Sequence, residues 1–424
     1  MLNQLYYGDN LEILRQYLSS ETIDLCYLDP PFYSQRNYHQ THTNSQKTSQ
    51  AFIDTWKWGD TAEKELSQIQ ASPQTLISKP AQKLITSLGD ILGKGSLFAY
   101  LVSLTIRIIE VHRILKSTGS FYLHCHPVAS HYLKLILDVV FWKGYFVNEI
   151  IWCYKDPSGR ATRFFRRKHD VIFLYTKSAD YHFYADAVRV AYGASTKHQI
   201  AHRNRSFGRV VRGHPLGKVP EDWWPMPIVN SQAKERLGYP TQKPEALLAR
   251  IIQASSRPGD VLLDAYCGCG TSLAVADRLG RSWYGIDQTY AGISLTQQRL
   301  NRLGSQFQVF GIPRDLAGVH KLMARSLQEF VKWAVLSYTQ DRAVVCDRTA
   351  DQPIDGILSS AGQKIILQVN PEPIKQDDLQ TLEETRIRAG ADYAVLITLT
   401  PNSALGFDRL RTVTISEILA QNHY

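Results

Sequence analysis

The run Ile23-Asp24-Leu25-Cys26-Tyr27-Leu28, followed at once by Asp29-Pro30-Pro31-Phe32, decides how this chain is read. Its first six residues, apolar apart from Asp24, predict a buried strand that delivers Asp29 to the edge of a sheet. Two prolines then end the ladder, because they carry no N–H and fix their own φ. What results is a rigid rim bearing a carboxylate, bare carbonyl acceptors and an aromatic face. Such a rim suits a planar base with an exocyclic amine: the acceptors take the N–H groups while Phe32 stacks on the ring. By itself the tetrad also fits a plain strand end with a proline turn.

A second strand-to-turn junction lies more than two hundred residues further on. Residues 260–264 read as a strand ending in Asp264, followed by Ala265-Tyr266-Cys267-Gly268-Cys269-Gly270-Thr271-Ser272 and a helix through residue 279. Strand, glycine turn and helix together let a ligand approach backbone amides at the end of a sheet strand. The next strand ends in Asp287, an acid suited to ribose hydroxyls. Taken alone, the glycines could serve NAD, FAD or nothing.

Between the junctions the chain alternates helices and strands. Residues 97–115 repeat at helical spacing, Lys116-Ser117-Thr118-Gly119 reads as a stop, and 120–124 as a strand. A helix over 129–141 and strands over 149–154 and 171–176 follow, which predicts a mostly parallel sheet covered on both faces. His124-Cys125-His126 reads as a solvated strand end rather than a metal site. Residues 33–96 are polar with aromatic islands at Tyr38 and 52–58, and are expected to form a partly helical lid that orders over substrate.

A length of 424 residues predicts two to three domains. No apolar run is long enough to span a bilayer, and the N-terminus lacks the pattern of a secretory signal. Six scattered cysteines without C-x-x-C spacing argue against a disulfide framework or a zinc site and for a reduced, cytoplasmic setting. The net charge of +9 is local: residues 155–218 hold fourteen Lys and Arg against four Asp, whereas 311–424 hold twelve against fourteen acids. In the basic stretch Arg160, Arg163, Phe164, Phe165, Arg166, Arg167 and Lys168, then His202-Arg203-Asn204-Arg205 and Arg209, fit a surface that neutralises phosphates and reads base edges. Solvated surface is the plainer alternative.

Taken together, these motifs resemble those of the amino-methylating DNA methyltransferases, which methylate adenine N6 or cytosine N4 with S-adenosylmethionine. Asp29-Pro30-Pro31-Phe32 resembles the catalytic tetrad, in the form commoner among adenine enzymes. Asp264 to Thr271 resembles the family's D-P-F-x-G-x-G-T, with Ala265 and Tyr266 in place of Pro and Phe. Tyr239-Pro240-Thr241-Gln242-Lys243-Pro244 resembles the segment that meets the methionine end of the cofactor, and Gly8-Asp9-Asn10 the one beside its adenine. The resemblance covers residues 5–303 and has the circularly permuted order of the β group. It implies a Rossmann-like α/β fold with Asp29, Pro30, Pro31 and Phe32 as catalytic residues. It further implies Asp9, Thr241, Lys243, Asp264, Gly268, Gly270, Thr271 and Asp287 as cofactor contacts, and double-stranded DNA as substrate. Asp29 and Asp264 are then expected on neighbouring strands.

The expected domains are a catalytic half over 1–154, a basic target-recognition region over 155–235, a cofactor half over 236–305 and a small α/β domain over 306–424. Asp355-Gly356 with Gln368-Val369-Asn370 resembles the restriction-endonuclease-like fold, with Asn370 where a lysine is expected, and so implies a module that no longer cuts. An active nuclease, a cytosine N4 activity, a homodimer and a separate cognate nuclease remain open.

Overall fold

A computed structural model describes residues 3–41, 48–73, 76–154, 161–202, 205–206, 209–210, 212–349, 353–400 and 407–421. The chain opens with β1 (Asn3–Tyr7), α1 (Asn10–Tyr17) and β2 (Ile23–Leu28). Next come a hairpin of β3 (Arg36–Thr41) and β4 (Thr48–Asp54) and helices α2 (Asp60–Ala71), α3 (Lys79–Leu92) and α4 (Ser96–Ile114). Strand β5 (Leu115–Cys125), α5 (Pro127–Leu137), β6 (Phe146–Cys153) and β7 (His169–Thr176) follow. The short elements α6 (Ala194–Ala201), β8 (Arg205–Ser206), β9 (Arg209–Val210) and β10 (Trp223–Pro225) lead to α7 (Glu245–Ser255), β11 (Val261–Asp264), α8 (Thr271–Arg278), β12 (Ser282–Asp287), α9 (Tyr290–Arg302) and β13 (Phe307–Phe310). The last part holds α10 (Leu316–Arg325), α11 (Leu327–Thr339), β14 (Val344–Val345), β15 (Gly356–Ser360), β16 (Gln363–Asn370), α12 (Gln376–Arg388), β17 (Tyr393–Thr398), β18 (Leu410–Thr414) and α13 (Ile415–Gln421).

Nine strands form one sheet in the order β10-β6-β7-β5-β2-β11-β12-β1-β13. Its pairings are parallel except where β7 runs against β5 and β6. Strands buried on both faces read as continuous apolar runs, as β2 and β11 do. Helix α4 is apolar almost all round, and that is why it lies buried, sharing a core with β2 and β5. β2 and β11 are parallel neighbours with Leu263 beside Cys26, which brings the ends of the two motif strands together as the sequence predicts.

One boundary differs from expectation. Residues 116–119 do not end a helix in a loop: β5 starts at Leu115, and they bulge between the pairs Ile23–Leu115 and Leu25–Ser120. Lys116 is fastened there to Asp24, at 2.8 Å. Within 155–235, β7 lies in the main sheet between β5 and β6, where the strand expected over 171–176 belongs, and past 306 β13 pairs with β1 as the sheet's edge strand.

The C-terminal residues form a second sheet, β14-β15-β16-β17-β18, antiparallel at its start and parallel from β16 onward. Helices α10 and α11 are separated at Ser326, whose hydroxyl accepts from Glu329 N to start the second. Phe330 and Trp333 of α11 are buried in a core shared by both sheets. The expected lid over 33–96 contains the β3–β4 hairpin as well as helices.

Candidate active site

β2 stops at Leu28, and the next residues line a cavity of about 400 Å³ together with the ends of β11 and β12. Asp29, Pro30, Pro31 and Phe32 border it, as do Asp9, Thr241, Lys243, Asp264, Gly268, Thr271 and Asp287. Gly270 does not. It sits behind the cavity at φ 70°, where a Cβ would lie 2.7 Å from the Thr296 side chain, so its role is to form the turn.

The two oxygens of Asp29 differ. Oδ2 accepts from the buried Lys243 Nζ at 2.6 Å, whereas Oδ1 is buried with no hydrogen-bond partner among the described residues. Lys243 Nζ also stands 4.7 Å from the centre of the Phe32 ring. The turn before this lysine is held by Gln242, whose amide accepts from Leu237 N and donates to Glu235 O. Thr241 there has φ 59°, a left-handed conformation that costs a β-branched residue on the order of 1–3 kcal/mol.

At the cofactor-type end, Asp264 accepts from Tyr266 N at 3.0 Å and from the Ser272 hydroxyl. Burial, together with the nearby charges of Asp29 and Asp287, pushes its carboxyl up to about 7 despite those hydrogen bonds. Asp287 accepts from Gly268 N at 2.8 Å and from Thr289 N and Oγ1 at 2.8 and 2.6 Å, and burial raises it too. Gly268, at φ 50°, would bring a Cβ within 3.0 Å of the Tyr239 ring.

Asp9 is the N-cap of α1, accepting from Leu11 N at 2.9 Å and Glu12 N at 3.2 Å. Its other oxygen pairs with Arg107 at 3.0 Å, and Arg107 also meets Glu65 at 2.8 Å and Asn10 at 2.7 Å.

The N6_N4_Mtase family model, described as DNA methylase, matches residues 23–297. The chain belongs to this DNA methylase family. Over 250 residues it is 30% identical to Type II methyltransferase M.BglII of Bacillus subtilis, covering 56% of this chain and 66% of that protein. Over 196 residues it is 34% identical to DNA adenine methyltransferase YhdJ of Escherichia coli (strain K12), covering 46% and 64%. The chain thus spans somewhat less than two thirds of the length of these relatives. Among solved structures, the PvuII DNA methyltransferase (cytosine-N4-specific) aligns with a TM-score of 0.44 at 16% identity, covering 70% of this chain and 86% of that one. A DNA modification methylase from Thermus thermophilus, complexed with S-adenosyl-L-methionine, aligns at 0.42 and 17%, covering 73% and 98%.

In the methylase domain several cavity residues escape sequence reading. Arg107 and Glu65 are two. The available signal was a lone cation inside the apolar run of α4, since a buried charge requires a partner. Tyr38 and Phe52 stack across the β3–β4 hairpin at 4.7 Å, and Phe52 meets Tyr239 at 6.3 Å, so the expected lid supplies an aromatic wall. Asp54 fastens this hairpin to the rim by accepting from Tyr33 N at 2.9 Å and Ser34 N at 2.7 Å.

His124 corrects the expectation of a solvated strand end. It is fully buried in β5, with Nδ1 2.8 Å from the Tyr27 hydroxyl and Nε2 3.3 Å from Asp170. β5 is central in the sheet, so its end is covered by β2 and β7 rather than by water. His126 is half-buried and caps α5, and burial lowers its ring's proton affinity. In the basic stretch Arg163, Phe164, Phe165, Arg166 and Arg167 are exposed. Topology places them at the carboxyl edge of the sheet, between the end of β6 and the start of β7. Arg160, Arg203 and Asn204 lie outside the described residues.

No described helix is long and apolar enough to cross a membrane. All six cysteines are free.

Proposed function

We propose that this chain is a sequence-specific DNA methyltransferase that transfers a methyl group from S-adenosylmethionine to the exocyclic N6 amine of adenine in duplex DNA. One observation carries the reading: Asp29 Oδ1, a buried carboxylate oxygen without a donor among the described residues, on the cavity that also holds the glycine turn. Leaving such an atom unsatisfied costs about 1–3 kcal/mol, and an amine N–H arriving from solvent removes that cost. The same hydrogen bond localises the amine's lone pair, which is otherwise delocalised into the ring. Phe32 offers a face for stacking, and a base reaching so enclosed a rim must leave the duplex stack.

The rest of the cavity fits a cationic cofactor. Asp9, Asp29, Glu65, Asp264 and Asp287 line it against Arg107 and Lys243. A cation favours the ionised form of Asp264, which burial, with the nearby Asp29 and Asp287, disfavours. S-adenosylmethionine, when bound, supplies a methyl group activated on a sulfonium. Asp264, Gly268, Thr271 and Asp287 would hold it. The exposed arginines at the sheet edge suit the phosphates of duplex DNA. Adenine is favoured over cytosine by an aspartate at the head of the tetrad and by the Escherichia coli relative, whose name specifies adenine.

For the C-terminal module we infer a nuclease-derived scaffold that does not cut. Asp355 lies next to the paired residue Gly356–Leu367, hence beside Gln368 on β16. Both of its oxygens are occupied: Arg348 Nε donates to Oδ1 at 3.1 Å, Arg348 also donates to Oδ2, and Val369 N donates to Oδ2 at 2.7 Å. A guanidinium where a divalent ion would bind leaves no ligand for the ion.

Plasmid DNA incubated with the protein and S-adenosylmethionine, then digested to nucleosides and analysed by mass spectrometry, should contain N6-methyldeoxyadenosine. N4-methyldeoxycytidine would move the substrate to cytosine, and neither product would end the methylase reading. The same DNA with Mg²⁺ or Mn²⁺ should stay uncut.

A further inference from the structure

We infer that Lys243 is a positioning residue of the catalytic rim: it holds Asp29 and Phe32 together rather than contacting the cofactor. The inference rests on the methyltransferase reading of this cavity and deepens it.

The geometry is specific. Lys243 Nζ is 2.6 Å from Asp29 Oδ2 and 4.7 Å from the Phe32 ring centre, so one ammonium touches both groups that would receive the base. It donates further only to Thr241 O at 3.4 Å, among the hydrogen bonds of the described residues. By occupying Oδ2 it leaves Oδ1 as the one oxygen that can accept from an amine. The lysine side chain is 8% exposed, so this contact is hardly screened by water.

The other groups facing Asp29 cannot replace it. Across β11 stands Asp264, with Asp287 beyond it on β12, and both are acids that repel a carboxylate. From β5, His124 Nδ1 is 3.8 Å from Asp29 Oδ1. That separation is longer than a hydrogen bond, and the ring nitrogens are engaged elsewhere, Nδ1 2.8 Å from the Tyr27 hydroxyl of β2 and Nε2 3.3 Å from Asp170 of β7. Tyr100 of α4 and Asp54 at the hairpin's end bring no positive charge. Lys243 is the only lysine or arginine paired with Asp29 among the described residues. It comes from the cofactor half of the chain and grips the catalytic half, 214 positions away.

The test uses the full chain with K243M and K243R. It measures cofactor affinity by calorimetry and methylation at saturating cofactor over a range of DNA concentrations. In K243M the cofactor Kd should stay within about threefold of wild type while the rate falls at least a hundredfold, the scale of removing one preorganised electrostatic group. The loss should lie in the saturated rate rather than in KM for DNA, because Asp29 and Phe32 are then no longer held in place for the base. K243R should recover part of the rate, since the guanidinium keeps the charge on Asp29 but not the shape of the contact. If K243M does not fold, K243R alone decides, and a K243R protein that loses cofactor affinity thirtyfold with an unchanged saturated rate overturns the inference. It is equally overturned by a K243M protein whose rate matches wild type, or by one that loses cofactor affinity thirtyfold with an unchanged saturated rate. A wild-type protein that binds no cofactor would take the function reading down as well, whereas an active wild type beside an indifferent K243M removes the Lys243 assignment alone.

Discussion

Two aspartates, each beside a basic side chain, sit at strand ends in the two sheets of this protein, and they are used differently. Asp29 gives one oxygen to Lys243 and leaves the other without a donor among the described residues, on a cavity. Asp355 gives both oxygens away, to Arg348 and to the Val369 amide. A carboxylate with spare hydrogen-bonding capacity facing a cavity is poised to bind, and one whose capacity is used up locks a fold. Residue type is the same in the two places, although the Asp29 side chain is 16% exposed and that of Asp355 only 4%. What separates them is the count of donors within reach.

The largest expected effect would break the comparison at its functional end. D29A should lower methyl transfer about a thousandfold or more, since it removes the acceptor on which the amine depends. Cofactor binding should persist, and titration calorimetry alongside a methylation assay reads both. Near-normal turnover of D29A would show that the orphaned oxygen is incidental.

At the structural end, D355A should leave methylation intact and lower stability by about 2 kcal/mol, because it strips partners from Arg348 and from a buried amide. The loss stays modest because the Arg348 side chain is 43% exposed and water can replace part of what it gives up. A thermal melt and the same assay check it. A D355A protein as stable as wild type but slower would reverse the two roles.

The smallest effect sharpens the electrostatics of the pocket. Asp264 is pushed up to about 7 by burial, with Asp29 and Asp287 adding to the rise. Above that pH it is ionised and attracts a cation; below it, a proton must leave before the cation can bind. Cofactor affinity should therefore fall as pH drops through 7, by up to tenfold per unit, with release of up to one proton per cofactor bound. Calorimetry in two buffers of different ionisation enthalpy detects that proton. In D264N the pH dependence should flatten, and a slope unchanged in that variant would assign the proton to another group.

Much of the site could be read before folding. The prolines after Leu28 and the glycines after Asp264 carry local rules, fixed φ and tolerance of positive φ, that hold wherever the segments end up. Asp29, Phe32, Gly268 and Asp287 were legible for that reason. Arg107 and Glu65 were harder, because a charge in an apolar helix announces a partner without naming it. His124 was misjudged, since a strand end looks solvated until its sheet neighbours are known. That β13 completes the first sheet as the edge strand beside β1 is likewise decided by partners far away in the chain.

By itself, then, the sequence determined the two motif junctions, the α/β character and the chemistry of the residues at the rim, because each depends on backbone rules spanning a few residues. Tertiary structure decided which of those residues meet. It placed Lys243 on Asp29 rather than free in the cavity, put Arg348 on Asp355, and buried His124 between two neighbouring strands. Those outcomes depend on distances between segments far apart in the chain. A hydrogen bond or ion pair falls off within a few ångströms, so only the folded chain settles which carboxylate is satisfied and which is left waiting for a ligand.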